Sequence, residues 1–64
     1  MTASQSQAFW ELCRQGLPLA AEEAAQAWNR GRTFRLDPGV RISRYVESLI
    51  DQCNWEAERT AAAA

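Results

Sequence analysis

The chain contains no histidine and no lysine, which removes most of the chemistry open to a small protein. Histidine is the commonest general base and lysine the usual amine nucleophile, so proton transfer and Schiff-base routes lose their ordinary agents. Zinc sites draw on His and Cys, and two lone cysteines, Cys13 and Cys53, cannot supply four ligands of the usual kind. Two cysteines are also too few for a disulfide scaffold of the secreted type. Both fall on apolar helical positions, where a free thiol behaves as a small hydrophobe, although a Cys13–Cys53 bridge is an alternative. The three glycines punctuate helices and form no phosphate-cradling loop. The expectation is a non-enzyme without metal or cofactor.

Long apolar runs are missing too. None approaches the roughly 20 residues that a bilayer span requires, and Met1 to Gln7 lacks the basic-then-apolar order of a signal peptide. The expected location is cytoplasmic, with no membrane partner. All seven basic residues are Arg and Ala is abundant, a codon signature of a GC-rich bacterial or phage genome. At 64 residues the chain forms one domain at most, of marginal stability alone. A homodimer is a natural support.

What is present reads as three helices. The first is expected from about Gln5 to Gln15, with Ser4 and Gln7 as a capping box, Phe9, Leu12 and Cys13 on its apolar face, and Gly16 as its stop. The second runs from Pro18 to Asn29, with Pro at the first helical position and Ala20, Ala24, Ala27 and Trp28 on one face. The third is expected to start at Asp37 as cap and Pro38 in the first turn, and to reach about Arg59. Ile42, Tyr45, Val46, Leu49, Ile50 and Cys53 form its apolar stripe; Ile42, Val46, Leu49 and Cys53 also follow a heptad seam. Residues 1–4 and 60–64 are expected to fray. The fold class is therefore all-α: a small three-helix domain with an extended basic connector before the longest, C-terminal helix.

In the connector, Phe34 and Leu36 alternate with Thr33, Arg35 and Asp37, the period of a short strand. Either the segment pairs with its copy in a second subunit, or Phe34 and Leu36 plug the core from an extended loop. The run TFRLDP followed by a helix resembles the strand and first helix of ribbon-helix-helix DNA-binding proteins. Over its roughly 20 residues that resemblance implies strands paired between subunits, with Thr33, Arg35 and Asp37 turned outward to the major groove. The family's second amphipathic helix has no counterpart in Trp55 to Ala64, and neither do the leading 30 residues.

Charge is segregated. Arg30, Arg32, Arg35, Arg41 and Arg44 stand against Asp37 alone, whereas the rest of the chain is acidic and the net charge is −1. Such a band with Phe34 inside it suits nucleic-acid phosphates and bases. It equally suits carboxylates of a protein partner, or pairing of Arg41 and Arg44 with Glu22, Glu23 or Glu47 in the fold or across a dimer. Three Trp in so short a chain exceed what one core can hold. Trp28 is expected to pack, Trp10 to sit at the edge of an apolar face, and Trp55 to project to the side of Arg44, Ser48, Asp51 and Arg59, with Arg59 able to stack on its ring. A helix broken near Asn54 would instead fold Trp55 back onto the core.

The sequence thus points to a small regulatory or inhibitory protein that occludes a surface of a larger protein target. Its candidate contact residues are Trp55, Arg41, Arg44, Arg59, Arg32 and Arg35. A nucleic-acid-binding transcriptional regulator using Arg30 to Arg44, or a structural subunit of a larger assembly, are the other readings.

Overall fold

The computed structural model describes residues 1–63 and has three helices: α1 (Ala3–Arg14), α2 (Pro18–Asn29) and α3 (Arg44–Ala63). The class, the order and the longest C-terminal helix are as the sequence implies. Helix α2 falls on its expected boundaries, and α1 and α3 do not.

Helix α1 begins two residues earlier than Ser4 and Gln7 suggest. The capping box is Thr2 with Gln5: the Gln5 N–H donates to Thr2 Oγ1 at 3.1 Å, and the Thr2 N–H to Gln5 Oε1 at 3.2 Å. Both pairs fit the motif, and the helix uses the earlier one. The Thr2 and Ser4 hydroxyls each donate to the Glu56 carboxylate at 3.2 Å, tying the start of α1 to α3. At the other end Gln15 Nε2 reaches Ser43 Oγ at 3.4 Å, so the two helices run antiparallel. Thr2 and Ser4, in the segment expected to fray, thus have partners on α3. At the other terminus, helix continues through Thr60 to Ala63, and Ala64 lies outside the described residues.

Both α1 and α2 end in Schellman motifs. After α1, the Gly16 N–H donates to the Cys13 carbonyl and the Leu17 N–H to that of Leu12; after α2, Gly31 donates to Trp28 and Arg32 to Ala27. Gly31 has a further duty. At φ +70° a Cβ there would lie 3.0 Å from the Ala61 Cβ, so glycine lets the end of α2 press against the C-terminal part of α3.

The third helix starts at Arg44, not at Pro38, which corrects the reading of Asp37 as its cap. Asp37-Pro38-Gly39-Val40 is instead a type II turn: the Val40 N–H donates to the Asp37 carbonyl at 3.2 Å and Gly39 has φ +92°. The cap is Ser43, whose Oγ accepts the Val46 N–H at 3.2 Å. Ile42 consequently leaves the helical stripe and packs on the core from the chain before it. The heptad seam begins only at Val46, and it needs no second chain because α1 lies along it. Tyr45 is exposed instead of joining the stripe, and its hydroxyl accepts from Gln7 Nε2.

Among the described residues there is no strand. Arg32 to Asp37 runs without helix, turn or bend, and Phe34 is buried with Leu36 packed against the core. The plug reading of the connector holds within one chain. The ribbon-helix-helix likeness does not extend to the structure: the turn through Val40 and three further residues, not a helix start, follow Asp37, and two helices precede the connector. Helices α2 and α3 touch little directly, and Phe34 fills the space between them, edge-on to Trp28 at 6.2 Å.

One side chain organises that junction. Asn54 Oδ1 accepts Trp28 Nε1–H at 2.7 Å and the Phe34 N–H at 2.8 Å, while Asn54 Nδ2 donates to the Phe34 carbonyl at 3.0 Å. A single amide thus does for Phe34 what a neighbouring strand would, accepting from its N–H and donating to its C=O. The helix does not break at Asn54; the residue is used sideways. Trp28 and Phe34 join Ala8, Leu12, Ala21, Ala24, Val46, Ile50, Cys53 and Ala57 in the buried apolar core.

Candidate protein-interaction surface

Helical periodicity brings Arg44, Ser48, Asp51, Trp55 and Arg59 to one face of α3, because their spacings keep them within about 80° of each other at 100° per residue. The core-facing residues Val46, Ile50, Cys53 and Ala57 lie opposite, so this stripe has no packing role. All five of its residues are exposed. Trp55 keeps 52% of its surface open, and the Arg59 guanidinium lies 4.7 Å from its ring centroid. The cation holds the indole in place one turn away without covering it, a stacked geometry favoured by the ring's negative face.

Beside Trp55 lies a groove of about 380 Å³, lined by Thr2, Ala3, Ser4, Glu56, Arg59 and Thr60 as well as the indole. Its far wall exists because Thr2 and Ser4 bond to Glu56. The site is therefore built by α1 and α3 together, and sequence spacing on α3 showed only one wall of it.

The other candidate residues are dispersed. Arg44 sits on the same face as Trp55, eleven residues or about 16 Å along the axis. Arg35 lines a second cleft of about 420 Å³ between the connector loop and α3, where Asp51, Glu47, Ile50 and Val40 also contribute. Asp51 thus links that cleft to the Trp55 face. Arg32 and Arg41 are exposed but line neither cavity.

Within the chain, Arg41 and Arg44 do not pair with Glu22, Glu23 or Glu47. Among the described residues the one ion pair is Arg14 with Glu11 at 3.6 Å. All five arginines of the basic band point to solvent without an acidic partner.

Three further apolar side chains are exposed, and Leu19 among them had no place in the sequence reading. Leu19 on α2 keeps 75% of its surface open, and Trp10 keeps 64%, edge-on to Phe9. Tyr45 is the third. Leu19 had a legible signal, since it sits about 160° from Ala21 on the polar side of α2. Trp10 was placed at the edge of an apolar face and in fact points away from the core.

Both cysteines are free; Cys53 is buried, and burial, with a smaller effect of the nearby Glu56 charge, pushes its thiol from 9.0 up to about 11. A thiol so shifted stays protonated and unreactive at neutral pH. Among the described residues no group of His, Cys, Asp and Glu is arranged to hold a metal ion, and no helix is long and apolar enough to cross a membrane. No family model, curated protein or solved structure matches the chain.

Proposed function

We propose that this is a non-catalytic regulatory or inhibitory protein that binds a larger protein through the outward face of α3 and occludes the surface it covers. The observation that carries the reading is Trp55, half open on a helical face with no packing role, braced by Arg59 beside a groove. Burying such an indole against a partner supplies the large, rigid anchor typical of interface hot spots. Arg44 and Asp51 on the same stripe provide charged contacts at its rim. Arg41, Arg32 and Arg35 extend the contact over the connector.

The test is Trp55→Ala with a purified target. Affinity should fall by about 2 kcal/mol or more, on the order of thirtyfold, while the melting temperature stays within a few degrees. Equal losses of affinity and fold stability would refute the anchor role.

The unpaired arginine band favours a second reading, a nucleic-acid-binding regulator. Neutralising several phosphates would make affinity fall on the order of tenfold or more between about 50 and 200 mM salt. Anisotropy with labelled DNA and RNA separates the two readings, because the Trp55 anchor responds weakly to salt.

A further inference from the structure

The connector has two backbone edges, and the structure partners the inner one at Phe34 and leaves the outer one open. Phe34 directs its N–H and C=O to the Asn54 amide. In an unbent segment, alternate residues turn their backbone groups to opposite sides. Thr33, Arg35 and Asp37 therefore face away from Asn54. Among the described residues their N–H groups have no hydrogen-bond partner, nor do the carbonyls of Thr33 and Arg35. The Asp37 carbonyl takes Val40 at 3.2 Å and keeps a second lone pair. Alongside the segment runs a shallow groove of about 200 Å³ whose apolar wall includes Leu17, Leu19, Ala20 and Val40. Leu19 and Val40 are among the exposed large hydrophobics of the chain.

We propose that this open edge binds the same edge of a second copy of the chain, antiparallel and centred on Leu36. The side-chain charges select that register. Centring on Leu36 sets Arg35 of each copy opposite Asp37 of the other, twice about the two-fold axis. Centring on Arg35 would oppose two arginines, and centring on Asp37 two carboxylates; both are disfavoured for directly facing positions. The chosen register also makes Arg35 and Asp37 the hydrogen-bonded pairs, and these are the residues whose backbone groups face outward. An isolated two-stranded pairing is marginal. Here helices already back the strand through Asn54 and Phe34, and the neighbouring groove offers Leu19 and Val40 for burial. The edge lies apart from Trp55 and shares only Arg35 with the proposed target contact, so self-association of the purified chain alone tests it independently of that target.

Sedimentation equilibrium of the purified chain tests it, with Arg35→Asp, Asp37→Arg and the double exchange. Both residues are exposed, and circular dichroism verifies that each variant is folded. The wild type should self-associate to a dimer. Each single reversal places like charges opposite and should weaken the dimer on the order of tenfold or more. The double exchange should restore it, because the opposed pair is re-formed with its signs swapped. A wild type that stays monomeric up to about 1 mM, single reversals without effect, or a double exchange that fails to recover the dimer would each overturn the proposal.

Discussion

Replacing Asn54 by alanine should remove a large part of the folding stability, and the magnitude follows from its hydrogen bonds. The side chain makes three, all between 2.7 and 3.0 Å. At a net value of about 1 kcal/mol each, their loss costs about 3 kcal/mol. The cost rises if Trp28 Nε1–H, on a residue only 3% exposed, finds no water in place of the amide. A domain of this length is stable by about 3–10 kcal/mol in total, and 1 kcal/mol corresponds to about 4–8 °C in Tm. The expected fall is therefore about 12–24 °C on those scales. Circular dichroism gives Tm, and urea unfolding followed by tryptophan fluorescence gives the free energy.

Asn54→Asp sharpens the test. A carboxylate can still accept from Trp28 and Phe34 but cannot donate to the Phe34 carbonyl, whereas the protonated acid can. The folded state then favours the neutral acid, so its pKa in the fold lies above the unfolded value. The penalty is present in full above the folded pKa and shrinks as pH falls through it. Asn54→Ala has no such pH dependence. A loss within about 0.5 kcal/mol for Asn54→Ala, the range of ordinary surface changes, would refute the bridging role.

Three further outcomes follow from the same structure. Gly31→Ala should destabilise the fold by about 1–2 kcal/mol through its positive φ, a backbone cost measured by urea unfolding, and Ala61→Gly should recover only the steric part of it. Because the Cys53 thiol is raised from 9.0 to about 11, the unfolded state loses its proton first. Stability should therefore fall as pH rises from about 9 to about 11, by at most about 3 kcal/mol, and Cys53→Ala should flatten that slope in a pH series of unfolding curves. Leu12→Ala, at a fully buried position, should cost about 2–5 kcal/mol by the same assay.

Much of this fold was legible because helical period, proline and Schellman glycines act locally. Pro18 and Gly31 bracket α2 without help from the rest of the chain. The start of α1 was ambiguous by nature, since Thr2 and Ser4 each have a glutamine three residues on; both hydroxyls bond to Glu56, distant in sequence, and Thr2 makes the cap. The start of α3 was misplaced because Asp-Pro serves both as a helix entry and as a turn opening. Gly39 directly after Pro38 was the signal for the turn, being the residue a type II turn requires at its third position. Asn54 was passed over as a candidate helix break. Its place beside Cys53, between Ile50 and Ala57 at the border of the apolar stripe, marked a polar group that had to find partners. Those partners, Trp28 and Phe34, come from outside the helix, and no pattern within α3 could name them. The exposure of Trp55 and its stacking with Arg59 were readable because both depend only on an unbroken helix.

The most direct test of the interaction claim is site-specific photocrosslinking in the cells that make the protein. Ser48, exposed two turns before Trp55 on the same face, is replaced by a photoreactive phenylalanine, with exposed Glu22 on α2 as the control position. One discrete protein adduct should form from position 48, absent from position 22 and lost when Trp55→Ala is added. No adduct at position 48, or the same adducts from both positions, would contradict it.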